Sequence, residues 1–350
     1  MPSSIFSSEG GARAPRVPWG LVFGLVFFTL AERQLWRSGP FLETVARYTP
    51  PGPDGDPLRT AAALRRLSRE PAPIVFLGSS QVREGVACPE VEAEMAGPRC
   101  VNLAVSAGSP LDMLAVMNQL GGGEGPRITV LGIFPKVLQM APKSGFTSFS
   151  TLLCLLQGGA WAHMRVEEWK DLGFGFLEQL SPTLRFKDGL ERAWRSTDGD
   201  WRRALRRELP PQPDRLLAGA APRPPAYFAS LMGLQDDEEF ARAPVFEQAQ
   251  EMALRTVAEQ ELRRGNRMIV VDFPTREGYG TTVPPAALRA YEAACQRIRR
   301  MPGLAFIDQS RLGPLEASDF QDFTHLSESG RAKVSRRLAA LIRDQAGSVE

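Results

Sequence analysis

The chain has 350 residues, 43% of them hydrophobic and 23% charged, with a formal net charge of +2. That length is enough to bury a full core, as one large domain or two smaller ones. The near-even charge balance argues against a bulk nucleic-acid binder, whose affinity depends on a strong basic field.

The first feature along the chain is Val17 to Ala31 (VPWGLVFGLVFFTLA), which carries no charge and is flanked by Arg13 and Arg16 before it and Arg33 and Arg37 after it. A spanning helix wants roughly 20 apolar residues, so the run is short. Snorkelling of Arg33 and Arg37 and an interfacial Trp36 extend it to about that length. The expectation is a signal anchor over 17–36, with residues 1–16 in the cytoplasm. A cleaved signal peptide is the first alternative, since Thr29-Leu30-Ala31 loosely meets the small-residue cleavage rule; a buried soluble helix is the second. The anchor and the signal peptide both place the rest of the chain outside the cytoplasm, held at the periplasmic face of a membrane or secreted. Cys88 and Cys100 bracket CPEVEAEMAGPRC and either pair in an oxidising compartment or serve as small buried hydrophobes. With no Cys-x-x-Cys pair and only two histidines, a zinc site is not expected.

Residues 37–57 include TPPGPDGDP and read as a linker, and 58–346 as the main domain. A short amphipathic helix is expected over Leu58–Arg69. Ile74-Val75-Phe76-Leu77 has the continuous apolar character of a buried strand and ends in Gly78-Ser79-Ser80. A helix over Cys88–Ala96, a strand over Cys100–Leu103, a helix over Pro110–Leu120 and a strand over Arg127–Ile133 follow. The rhythm then breaks: residues 134–243 carry Gly/Ser/Phe runs, a Trp-containing helical stretch, PPQP and PRPP clusters, and a basic helix Trp201–Arg207. This region reads as a large irregular insertion, or lid. The basic helix presents Arg202, Arg203, Arg206 and Arg207 as a solvated face, with contact to anionic lipid or an acidic polysaccharide as the functional alternative. After it come a helix over Val245–Arg264, a strand over Met268–Phe273, a helix over Pro285–Arg300, a strand over Ala305–Asp308 and a closing helix over Ser327–Ile342. Strands alternating with helices predict a flavodoxin-like three-layer α/β/α sandwich around about five parallel strands.

Nucleophilic catalysis by serine needs a base to take the hydroxyl proton and an acid to orient that base. Of the two histidines, His163 lies in the insertion with no carboxylate beside it until Glu167. His325 follows Asp322 by three residues, a spacing that holds both side chains on one side of a tight loop; Asp319 is the rival acid. Ser80 sits at a strand-to-helix turn, where open α/β sheets bind ligands. Backbone N–H groups there, with Ala107 or Gly108 as the candidate second donor, suit a developing oxyanion. Asn102 is expected to support the turn that follows it, and Asp272, at a strand end, is a weaker candidate for the site.

Phe76-Leu77-Gly78-Ser79-Ser80, Asn102-Leu103-Ala104-Val105-Ser106-Ala107-Gly108 and Asp322-x-x-His325 together resemble, in order, the sequence blocks of SGNH/GDSL hydrolases. Ser79 replaces the family's Asp. The resemblance implies a catalytic triad of Ser80, His325 and Asp322, no metal or organic cofactor, and chemistry on ester bonds. The third block departs: where the family has Gly-x-Asn-Asp, this chain has Gly132-Ile133-Phe134-Pro135. Membrane-anchored relatives that work on envelope polymers also often lack this Asn. They include the D-alanine transfer protein of teichoic acids and the alginate O-acetylation proteins. The resemblance therefore implies a serine esterase or O-acyltransferase acting on an extracytoplasmic envelope polysaccharide or glycan, with a membrane-bound acyl donor protein as partner. A non-catalytic envelope assembly protein that keeps the fold is the main alternative, and a soluble lipase-like hydrolase a further one.

Overall fold

The computed structural model describes residues 30–49, 55–68, 73–120, 127–140, 148–197 and 243–347, with Phe27, Phe146 and positions 199, 200, 203, 204 and 206. Most of the uncharged N-terminal run and the PPQP and PRPP clusters lie outside the described residues. Among the described residues, no helix is long and apolar enough to cross a membrane.

Five strands form one parallel sheet: β1 (Ile74–Leu77), β2 (Cys100–Asn102), β3 (Ile128–Ile133), β4 (Arg267–Asp272) and β5 (Leu304–Ile307), in the order β2-β1-β3-β4-β5. The strand order reverses between β1 and β3, which places a crevice beyond their carboxyl ends. The side chains of β1 alternate between faces. Val75 and Leu77 join one core cluster and Ile74 and Phe76 the other. On the first face pack α5 (Pro110–Leu120), α9 (Ala243–Arg263) and α10 (Pro285–Arg299). On the second pack α3 (Ser80–Gly85), α4 (Cys88–Glu94) and α11 (Glu328–Gly347). The chain thus has the expected α/β class, with helical layers on both faces of a parallel sheet. Both faces being covered explains why the central strands read as unbroken apolar runs.

Two expectations are corrected. Residues 37–57, expected as a linker, contain α1 (Gly39–Tyr48) and the start of α2 (Asp56–Leu67). Residues 134–243, expected as irregular, hold α6 (Phe149–Gln157), α7 (Val166–Leu180) and α8 (Pro182–Ser196). Ser148 caps α6 by accepting the Thr151 N–H at 3.1 Å, a local start signal. Leu42, Val45 and Tyr48 of α1 and Leu58 and Ala62 of α2 share a third core cluster with Phe186 and Ala193 of α8. The N-terminal helices and the insertion therefore build one helical module beside the sheet.

Cys88 and Cys100 are joined in a disulfide that ties α4 to β2; Cys154 and Cys295 are free and buried.

Candidate active site

The site begins at the end of β1. Gly78 adopts φ +159°, and a Cβ there would lie 2.2 Å from Val82 Cγ2. A Cβ on Gly132 of β3 would meet the same atom at 2.2 Å. Two glycines thus let α3 sit directly on the sheet. Ser79 is its N-cap, and its hydroxyl accepts the Gln81 N–H at 3.3 Å. Serine is among the preferred N-caps, which accounts for Ser79 at this position. Ser80 is then the first helical residue, half-buried, and first-turn amides have no intrahelical acceptor.

The second half comes from the loop before α11. Phe320 pairs with Leu326 across it, and Gln321 N–H donates to the His325 carbonyl at 2.8 Å. Asp319 anchors its base: the carboxylate accepts from Lys333 Nζ at 2.8 Å, Ser329 Oγ at 3.0 Å and Glu316 N–H at 2.9 Å. The rival acid therefore faces Lys333. Asp322 instead accepts from Thr324 N–H and His325 N–H, each at 2.8 Å, and its second oxygen accepts from His325 Nδ1 at 2.8 Å. His325 Nε2 accepts from Ser80 Oγ at 2.8 Å. The tautomer that satisfies both bonds carries its proton on Nδ1, leaving Nε2 free to act as a base.

Burial works against the imidazolium of His325. The hydrogen bond and charge of Asp322, with the charge of Glu84, outweigh it, and the pKa lies above the ordinary 6.5. Burial likewise opposes ionisation of Asp322, but the bond and charge of His325 and the loop N–H groups hold its carboxyl below 3.8. The pair is set as a charged acid orienting a base.

The turn after β2 lies over the same spot. Val105 N–H donates to the Gly78 carbonyl at 2.9 Å, and Ala107 has φ +46°, a left-handed conformation uncommon for alanine and costing of order 1 kcal/mol. Gly108 N–H donates to the Val105 carbonyl at 2.9 Å. Of the two expected oxyanion donors, Gly108 is therefore committed to its own turn and Ala107 remains. Asn102 holds the frame: its Nδ2 donates to the Val82 and Val86 carbonyls at 3.0 and 3.2 Å, and its Oδ1 accepts Ala104 N–H at 3.1 Å. Phe134, at the position of the family's Asn, is buried in the apolar core.

Several neighbours escaped sequence reasoning. Asp56, assigned to the linker, accepts the Ser106 N–H at 2.6 Å and pairs with Arg83 at 3.2 Å. Arg83 also bonds Ser106 Oγ, and Glu84 Oε1 at 2.7 Å. Its position one turn after Ser80 was the available signal. Tyr279 is buried, and its hydroxyl has no hydrogen-bond partner among the described residues. Burial first, then the charge of Asp322, raises its pKa above the usual tyrosine value. Asp272 ends β4 but turns to Tyr291, and His163 is exposed on the insertion. Of the basic cluster, Arg203 and Arg206 are exposed; Arg202 and Arg207 lie outside the described residues. A cleft of about 790 Å³ adjoins the triad's frame, sharing Arg83 and Asn102 with it. It is lined by Arg47, Arg59, Arg66 and Arg331 among others.

No family model matches the chain, and no curated protein matches it. Among solved structures, it is similar to a Streptococcus pneumonia protein provisionally described as a platelet activating factor. Identity is 13%, over 93% of this chain and 100% of that one, with a TM-score of 0.36. A likeness of that size carries no inference.

Proposed function

We propose that this chain is an SGNH/GDSL-like serine esterase or O-acyltransferase acting on an extracytoplasmic envelope carbohydrate. The observation that carries the reading is the relay of Ser80 Oγ, His325 and Asp322, with both contacts at 2.8 Å. The nucleophile after β1 and the Asp-x-x-His before the last helix, on a sheet ordered 2-1-3-4-5, also favour the SGNH type. In the first half-reaction Ser80 Oγ attacks the ester carbonyl while its proton passes to His325 Nε2. The tetrahedral oxyanion is received by the Ser80 and Ala107 N–H groups. Collapse breaks the ester C–O bond, and His325 returns the proton to the leaving alcohol. In the second half, His325 takes a proton from water or a sugar hydroxyl, which attacks the acyl-enzyme and frees Ser80.

With Phe134 where the SGNH/GDSL pattern has Asn, that side-chain donor to the oxyanion is lost, a contact typically worth about 10²–10³ in turnover. Water is then a poor acceptor, while a sugar hydroxyl bound beside Ser80 would gain from proximity. The uncharged N-terminal run and the disulfide, a bond that persists in oxidising compartments, support placement outside the cytoplasm. A membrane-bound protein is the proposed acyl donor. The same missing donor favours the second reading, a non-catalytic assembly protein. The test is a fluorogenic acetyl ester with and without oligosaccharide acceptors. Slow hydrolysis, faster transfer and loss of both in Ser80→Ala are expected. No turnover and no covalent adduct on Ser80 with an activated serine probe would leave the assembly reading.

A further inference from the structure

We infer that the insertion helices α6 and α7 form a platform that rests on a lipid bilayer through an outward apolar face. On α7, Val166, Trp169, Gly173, Leu177 and Leu180 recur at helical spacing along one side. Leu172, Gly175 and Glu178 are buried on the opposite side. The outward side chains are open to solvent: Val166 is 63% exposed, Leu177 52% and Leu180 61%. Helix α6 repeats the arrangement, with Thr151, Cys154 and Leu155 buried and Phe149, Leu153 and Leu156 exposed. Between the two helices Trp161 is exposed as well. Single exposed apolar residues need no explanation, but two consecutive helices with apolar outer stripes do.

What covers this face is indicated by where the N-terminus is fixed. The helical segment 30–37 begins in the last two residues of the uncharged run and is seated at the α7–α8 junction. Glu32 accepts from Ser181 Oγ and Thr183 N–H, each at 2.6 Å. Trp36 Nε1 donates to Thr183 Oγ1 at 2.9 Å, and its ring packs on Phe186 with centroids 5.0 Å apart. Leu180, the last residue of the α7 stripe, immediately precedes Ser181. The end of the uncharged run is thus pinned at the end of the apolar stripe, and Leu30 and Leu35 on segment 30–37 are also exposed. Tryptophans among leucines are the composition of a membrane interface, and helices that lie in that interface bury one apolar face. Acidic and basic residues are mixed along α7 and α8, so apolar insertion, not attraction to anionic lipid, supplies the contact.

The inference uses the membrane-proximal part of the proposed function and is independent of its chemistry. The test reconstitutes the full chain in phosphatidylethanolamine/phosphatidylglycerol vesicles with and without dibrominated acyl chains, which quench tryptophan on contact. Wild type is compared with the Trp161→Phe/Trp169→Phe variant, which removes two of the six tryptophans. The difference emission is expected to be quenched, and to lose at least half of that quenching in Leu177→Asp. Near-UV circular dichroism and cooperative thermal unfolding report whether each variant is folded. A chain that floats with vesicles but shows unquenched difference emission overturns the platform and leaves the N-terminal anchor standing. A face that pairs with a second copy gives that result together with a dimer by light scattering. A chain that does not float overturns platform and anchor together, without touching the triad.

Discussion

Opposite edges of the same sheet each hold a carboxylate with a depressed pKa, one fully buried and one partly exposed, and the two do different things. At the amino edge, Glu261 accepts from Arg127 Nε and Nη2, Arg264 Nη1, Thr129 Oγ1 and Asn266 Nδ2, its side chain fully buried. At the carboxyl edge, Asp322 accepts from two loop N–H groups and His325. Burial opposes ionisation of both, and bonds to donors win in both. The direction of the pKa therefore does not separate structure from chemistry. What separates them is where each network ends: Glu261 is closed by fixed donors, while Asp322 leads through an imidazole to the hydroxyl of Ser80.

The sharpest break of this comparison is His325→Ala. A triad member acts as part of a unit, so loss of about 10⁴-fold or more in kcat/KM is expected, with Tm within a few degrees of wild type. Retention of a tenth of the activity would mean the open network is not the reactive one. Asp322→Asn comes next, at about 10²–10⁴-fold, and carries a pH signature. His325 must be neutral to accept the serine proton, so wild-type kcat/KM rises with pH through a value above 6.5. Removing the carboxylate's charge lowers the imidazole pKa and moves the rising limb to lower pH. An unmoved limb would assign that pKa to another group.

The open end was legible in the sequence and the closed one was not. Ser80 is marked by a buried strand, a glycine and a following helix; His325 by the scarcity of histidine. Spacing favoured Asp322 over Asp319, but it could not show the reason Asp319 is unavailable, which is Lys333, a helical turn into α11, drawing it away. The left-handed turn at Ala107 has no sequence signal, since alanine ordinarily avoids it. Helix α1 was hidden by its proline- and glycine-rich flanks. The insertion's helices were legible only as one Trp-containing stretch, because apolar residues on both faces of α6 and α7 blur the one-sided 3.6 period that identifies a surface helix. Glu261 reads as one more charge on a long helix until Arg127 and Thr129 arrive from another strand.

Glu261→Gln tests the closed end. Breaking a buried pair typically costs about 3–5 kcal/mol, and a neutral amide keeps some of these bonds, so about 2–4 kcal/mol of stability should be lost. Activity per folded molecule should stay at the wild-type level, read by chemical denaturation beside ester turnover. A tenfold fall in kcat/KM with unchanged stability would reverse the assignment of the two edges.

The smallest effect is expected at Asp272, which sits on the same carboxyl edge as Ser80 without joining the Ser80–His325–Asp322 relay. It ends β4, and Tyr291 donates its hydroxyl to it at 2.6 Å. Burial, with the charge of Asp308 adding to it against the Tyr291 bond, pushes its pKa up to about 6. The folded state therefore holds this proton more tightly than the unfolded chain, whose carboxyl titrates near 3.8. By linkage, stability falls as pH rises from about 4 to about 6 and stays lower above that. An amide cannot ionise, and it can still accept the Tyr291 bond. Asp272→Asn should thus be more stable than wild type at pH 7.5 by about 1–2 kcal/mol after allowance for partial exposure, and should gain only about a third of that at pH 4.5, where the folded carboxyl still holds its proton. Thermal unfolding of both proteins at the two pH values measures the difference. An equal gain at both would trace the effect to packing, and Asp272 would then be a neutral strand end instead of a charge buried at cost beside a working site.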